Sequence, residues 1–92
     1  MACITLTRSH IPLRPAGLGL TGWTVAWEGR HVADWHDRAD GRVMLLRRTA
    51  LNAALREAAG ERREPQEFDS LDALREWYLR SAEAFEARAA GG

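Results

Sequence analysis

The run from Trp23 to His36 limits the fold more than any other part of the chain. Apolar and polar residues alternate on both sides of Glu28-Gly29-Arg30, and a glycine at that point permits the positive backbone angles of a tight turn. Alternation of period two marks half-buried strands, so Trp23–Glu28 and His31–His36 are expected to form an antiparallel hairpin. A lone two-stranded ribbon is marginal in water and needs further strands or a covering helix. Strict alternation sets Trp23, Val25, Trp27 and Val32 on one face, with Asp34 and His36 further along it. Thr24, Ala26, Glu28, His31, Ala33 and Trp35 fall on the other.

The rest of the chain supplies the missing parts. Ala2–Arg8 alternates as a strand, with Ile4 and Leu6 pointing one way and Cys3, Thr5 and Thr7 the other. Residues 10–22 hold Pro12, Pro15, Gly17, Gly19 and Gly22, which predict a long connection or an irregular edge segment. Asp40-Gly41 marks a second turn, after which Val43–Arg47 reads as a third strand of a meander. The competing reading is one continuous helix over Val43–Ala59. We favour the strand followed by a short helix over residues 49–59, capped at Thr49 and stopped by Gly60. Residues 60–67 read as a charged linker containing Pro65. A C-terminal amphipathic helix over 69–90 follows, capped by Asp69 or Ser70, with Leu71, Leu74, Trp77, Tyr78 and Phe85 as its apolar stripe. The expected architecture is α+β in one small domain, 1–92: an antiparallel β-sheet of three to four strands, within residues 1–48, with two helices packed on one face.

Composition removes several classes of function. All 13 basic residues are arginine, so no lysine is present for a Schiff base, a pyridoxal phosphate linkage or a phosphate-binding loop. Residues 1–60 carry eight arginines against five acids, and residues 61–92 carry five against eight. That mild dipole within a net charge of zero suits a mixed-charge protein surface better than a nucleic-acid footprint. The single Cys3 excludes an internal disulfide, as expected of a cytoplasmic protein. No apolar run is long enough for a transmembrane helix, so no membrane role is expected.

No catalytic set emerges. Gly17-Leu18-Gly19-Leu20-Thr21-Gly22 fits the dinucleotide-binding spacing, but a proline-rich stretch precedes it and a tryptophan-rich strand follows where that chemistry needs a strand and then a helix. It reads as a loop. His31, Asp34, His36, Asp37 and Asp40 are the one cluster rich in metal-ligand types, yet thiolate partners are missing, and they read as solvated turn and strand-end residues. Cys3 with His36 or His10 is a candidate nucleophile–base pair, but a strand thiol near a terminus is more often a small apolar residue. Neither an enzyme, nor a cofactor, nor a metal site is expected.

Four tryptophans say more than any motif. Trp23 and Trp27 are expected to pack against Trp77 and Phe85. Trp35 projects from the opposite hairpin face, where either returning chain buries it or it stands exposed as an interface anchor with Arg30, Arg38 and the rim charge Arg42.

Glu67-Phe68-Asp69-Ser70, followed by Leu74, Trp77 and Tyr78, resembles the start of a helix in a small phage anti-CRISPR family. The resemblance covers about a dozen residues. It implies a compact sheet-plus-helix protein that binds, without catalysis, the protein backbone of a type I-F crRNA-guided complex and blocks access to target DNA. It transfers no binding residue. The expected function is a small non-enzymatic protein-binding module, an inhibitor of a host nucleoprotein complex in the form the resemblance implies. Two alternatives stand beside it. One is a single-stranded nucleic-acid-binding domain using the Trp/Arg face, and the other is a homodimer built on an edge strand or on the C-terminal helix.

Overall fold

The computed structural model describes residues 3–13 and 18–91. Five antiparallel strands and two helices follow in the order β1 (Ile4–Leu13), β2 (Leu18–Trp27), β3 (Arg30–Asp37), β4 (Val43–Arg48), α1 (Ala50–Ala58), β5 (Glu67–Phe68) and α2 (Leu71–Gly91). The strands lie side by side in chain order, so the sheet is a meander with β1 and β5 at its edges. The fold is α+β as expected, with five strands in place of three to four. No helix among the described residues is long and apolar enough to cross a membrane.

The β2–β3 turn forms where the sequence placed it. Glu28 and Gly29 both take positive φ, 50° and 80°, and Trp27 pairs with Arg30 across them. Positive φ at both central residues gives a turn whose twist matches that of the strands it joins. Arg38–Arg42 closes the next hairpin, with Gly41 at φ 87° and Asp40 accepting a hydrogen bond from the Arg42 N–H.

The segment read as a connection over residues 10–22 is instead the end of one hairpin. β1 continues to Leu13 and β2 resumes at Leu18, with an uninterrupted register from Ile4↔Trp27 to Leu13↔Leu18; residues 14–17 lie outside the described residues. Pro12 is compatible with this for a geometric reason. The Glu28 N–H donates to the Cys3 carbonyl, and hydrogen-bonded pairs alternate along an antiparallel ladder. Thr5, Thr7 and Ser9 therefore bond to β2, while the N–H and C=O groups of Ile4, Leu6, Arg8 and His10 point to the outer edge. Position 12 shares that outward phase, so the N–H that proline lacks is not one the ladder uses. Gly22 is no breaker either. A Cβ there would lie 1.9 Å from the Trp35 carbonyl oxygen, so glycine is what lets the β3 backbone lie this close at that point.

Two bulges reset the faces. Val25 pairs with Ala33 but Ala26 pairs with His31, which leaves Val32 as an extra residue in β3. Leu46 is likewise the extra residue in β4, between Trp35↔Leu45 and Asp34↔Arg47. Beyond Val32 the side chains of β3 exchange faces relative to strict alternation. Ala33 and Trp35 join Val25 and Trp27 on the face covered by the helices, while Asp34 turns to the face away from them.

The core lies between that covered face and the helices. Val25, Trp27, Val32, Ala33, Trp35 and Val43 from the sheet meet Leu55, Leu74, Trp77, Tyr78 and Ala82 from α1 and α2. Trp27 meets Phe85 edge-on with ring centroids 5.1 Å apart, as expected of a core residue facing the final helix. Trp23 does not join them. It is half-buried, with the Arg8 guanidinium 5.0 Å over its ring and its Nε1–H donating to Asp37 Oδ1 at 3.1 Å.

The helix termini differ from expectation in one place. Ser70 Oγ accepts the Ala73 N–H at 3.1 Å and caps α2, and Gly60 takes φ 79° after α1. Thr49 holds the N-cap position of α1 without capping it. Its hydroxyl donates instead to the carbonyls of Val32 (2.8 Å) and His31 (3.2 Å), which ties α1 to the β3 bulge. Glu67, the last residue of the expected linker, and Phe68 pair with Met44 and Val43 as the short fifth strand.

Candidate functional site

The four residues expected to form one partner surface do not stand together. Trp35, the expected anchor, is 1% exposed and sits at the centre of the core, because the extra residue at Val32 turns it toward the helices. Its ring packs on Phe68 and Tyr78, with centroids 5.1 and 6.3 Å away. Arg30 lies at the β2–β3 turn over the Trp27 ring, at 4.7 Å. Arg38 and Arg42 lie at the other end of β3, roughly 25 Å away at ~3.3 Å per strand residue. Arg38 contacts Met44 Sδ at 3.1 Å and Asp40 at 3.8 Å. Arg42 is held by Glu67 and by Asp69, the latter at 3.1 Å, and the hydrogen bond to Glu67 followed by these charges raises its pKa. Trp35 is thus corrected from surface anchor to core residue, and a base-stacking role on that face falls with it.

Trp35 also starts a chain of buried hydrogen bonds. Its Nε1–H donates to the Tyr78 hydroxyl (3.0 Å), the Tyr78 O–H donates to Asn52 Oδ1 (2.6 Å), and Asn52 Nδ2 donates to Glu64 Oε2 (2.6 Å). Arg48 Nε then meets Glu64 Oε1 at 3.4 Å. Each buried polar group in this chain has its partner, which joins β3, both helices and the segment after α1. Burial pushes the Tyr78 phenol well above the usual tyrosine range, the charge of Glu64 adds to the rise, and the hydrogen bond from Trp35 acts against it. The phenol therefore stays protonated and keeps its donor role toward Asn52.

A second polar cluster occupies the sheet face away from the helices. Thr24, Asp34 and Arg47 are neighbours across β2, β3 and β4. Asp34 is 4% exposed and accepts from Thr24 Oγ1 at 2.9 Å and His31 Nε2 at 3.2 Å, while Arg47 Nε approaches its other oxygen at 3.2 Å. A histidine oriented by a carboxylate is half of a nucleophile–base arrangement. The Thr24 hydroxyl is already given to Asp34, and no hydrogen bond joins the other nitrogen of His31 to a hydroxyl or thiol among the described residues. The arrangement satisfies a buried carboxylate and offers no nucleophile.

The remaining candidate ligands are dispersed. Asp37 pairs with Arg8 at 2.6 Å, and Asp40 serves the β3–β4 turn. Among the described residues no group of three or more His, Cys, Asp or Glu side chains is placed to hold a metal ion. Cys3 is exposed and free.

The feature that sequence reasoning missed is the edge of β1. Its ten residues make it the longest free edge of the described sheet, since β5 at the other side spans two. Thr5, Thr7, Arg8 and His10 are exposed along it, while Ile4 and Leu6 are half-buried against the core. Beyond Gly22↔His36, the last pair joining β2 to β3, the β1–β2 ribbon runs on without a third strand among the described residues. The signal that could have found it is Pro12, two residues past His10 and in phase with the outward-pointing positions. Comparison of the chain with protein-family models, curated proteins and solved structures returned no match.

Proposed function

We propose that the chain is a non-catalytic protein-binding module that takes its partner by strand addition along the outer edge of β1. The observation that carries this reading is the row of outward N–H and C=O groups from Ile4 to His10, which has no partner strand among the described residues. Long flat edges of this kind are normally shortened, covered or charged, because they template pairing with another chain. Here Arg8 is tied back to Asp37 and Pro12 interrupts only the distal end, which leaves the stretch before it open. Main-chain pairing would supply affinity, and the exposed Thr5, Thr7 and His10 side chains would supply selectivity. The partner is a protein, or the protein component of a nucleoprotein complex, that presents an extended segment. An inhibitor of such a complex, the role implied by the likeness at residues 67–78, is one form of this module. The residues carrying that likeness serve the fold itself, since Phe68 pairs with β4, Ser70 caps α2, and Trp77 and Tyr78 lie in the core. The free thiol of Cys3 suits a reducing compartment such as the cytoplasm.

His10→Pro tests the edge. The substitution removes an outward N–H and repeats what Pro12 already does two residues on, so the melting temperature should stay within ~4 °C of the parent, as for a surface change of under ~0.5 kcal/mol. In affinity capture from the cells that encode the protein, a partner retained by the parent chain should be lost or reduced at least about tenfold with His10→Pro, equivalent to ~1.4 kcal/mol. A partner retained equally by both chains, or no specific partner at all, would contradict strand addition.

A further inference from the structure

Away from the β1 edge, a shallow cleft of about 380 Å³ is lined by Arg48, Arg56, Arg62, Arg63, Glu64 and Gln66. Four of the chain's 13 arginines meet there around a single acid. They do not play the same part. Arg56 is mostly buried, with a side chain 17% exposed, and its Nη1 donates to the carbonyls of Glu61 (2.7 Å) and Arg62 (3.0 Å). It therefore pins the turn after α1, which also carries Gly60 at φ 79°, and holds Arg62 and Arg63 at the rim. Arg48 is positioned from below by the buried carboxylate of Glu64, which is in turn fixed by Asn52. Arg62 and Arg63 are exposed and have neither an ion pair nor a hydrogen bond from their side chains to any described residue. Two anchored guanidinium groups and two free ones thus surround one opening.

We propose that this cleft is a binding site for small polyphosphate anions, with Arg62 and Arg63 as the grasping groups and Arg48 and Arg56 as the fixed ones. Guanidinium groups bind phosphate through paired N–H donors, and their planar geometry favours bidentate contact. No aromatic or aliphatic side chain lines the cleft, so nothing there would stack a base or seat the apolar residue of a peptide. Recognition would fall on the phosphoryl groups alone. The net charge of zero weighs against a long polyanion, whose capture depends on a broadly basic face, and favours a compact ligand with several charges. The cleft volume lies at the small end of the range for ligand sites, ~300–1,000 Å³.

The test is calorimetric titration of the full chain with inorganic pyrophosphate at low ionic strength. Saturable binding is expected with a Kd of about 1 mM or tighter. It should weaken as salt is raised, because the free arginines are exposed to screening. The double variant Arg62→Gln/Arg63→Gln should weaken binding about tenfold or more while leaving the melting temperature unchanged, since neither side chain supports the fold. A nucleoside diphosphate should bind about as tightly as pyrophosphate if only phosphates are read. Absence of saturable binding, or equal binding by the double variant, would overturn the proposal. So would a single-stranded oligonucleotide binding more tightly than pyrophosphate, which would assign the cleft to nucleic acid. The outcome is independent of the β1 edge, because His10→Pro should bind pyrophosphate as the parent does.

Discussion

Replacing Trp35 with alanine should destabilise the fold by about 3–5 kcal/mol, the usual cost of emptying a core tryptophan site. The total stability of a domain is only about 5–15 kcal/mol, so the loss should take up a large share of it and move the unfolding midpoint far down. The reasons are specific to its place. The indole is 1% exposed, packs on Phe68 and Tyr78, and donates to the Tyr78 hydroxyl. Urea denaturation followed by circular dichroism would measure the loss. Trp35→Phe should cost much less, about 1–2 kcal/mol, since it keeps most of the ring and loses the donor. An exposed interface anchor would give the opposite pattern, with stability nearly intact after truncation. A midpoint for Trp35→Ala close to that of the parent would therefore contradict the core assignment.

Asn52→Ala should produce the next largest loss, about 2–4 kcal/mol, although it removes little apolar area. Asn52 is 1% exposed and is the link at which the chain from Trp35 and Tyr78 meets Glu64 and Arg48. Its amide oxygen accepts from the Tyr78 hydroxyl and its amide nitrogen donates to the Glu64 carboxylate. Truncation leaves a buried hydroxyl without its acceptor and a nearly buried carboxylate short of a donor, and unpaired groups in low dielectric are costly. A double-mutant cycle with Tyr78→Phe would separate this from packing. The two substitutions should cost less together than the sum of their separate effects, because the second removes a group the first had already stranded. Additive costs would mean that the hydrogen bond contributes little.

Local signals in the sequence were enough for the parts of the fold that depend on neighbours in the chain. The Glu28-Gly29 turn, the Asp40-Gly41 turn, the Ser70 cap and the Leu74–Trp77–Tyr78 stripe each form as expected, because positive φ, capping and helical spacing act over a few residues. The errors share a physical origin in contacts made far along the chain. Pro12 and Gly22 look like breakers in isolation, but β1 is an edge and the β3 backbone approaches closely at Gly22. Strict alternation cannot register the extra residue at Val32, yet that residue reverses the faces of everything after it in β3. The misplacement of Trp35 follows from that bulge. Thr49 has the right chemistry for a cap but finds better-placed acceptors in the carbonyls of Val32 and His31.

The candidate site was less legible for the same reason. Arg38 and Arg42 flank the β3–β4 turn as expected, while Arg30 opens β3 just after the Glu28-Gly29 turn, and the partners of all three come from other elements. Arg42 is engaged by Glu67 and Asp69, more than twenty residues downstream, and Arg30 lies over Trp27. The open edge of β1 is a property of strand order, which alternation within one strand does not encode. The arginine cleft likewise gathers residues from β4, α1 and the turn after α1, and it becomes visible only once Arg56 has pinned that turn.

Amide hydrogen exchange along β1, measured by NMR on the free chain and again with the captured partner, decides whether the outer edge of β1 takes up a partner strand. In the free chain the N–H groups of Thr5, Thr7 and Ser9 should be protected by β2, while those of Leu6, Arg8 and His10 exchange at close to solvent rates. The partner should extend protection to Leu6, Arg8 and His10. Uniform protection of β1 in the free chain, or an outer row that stays unprotected in the complex, would contradict strand addition at this edge.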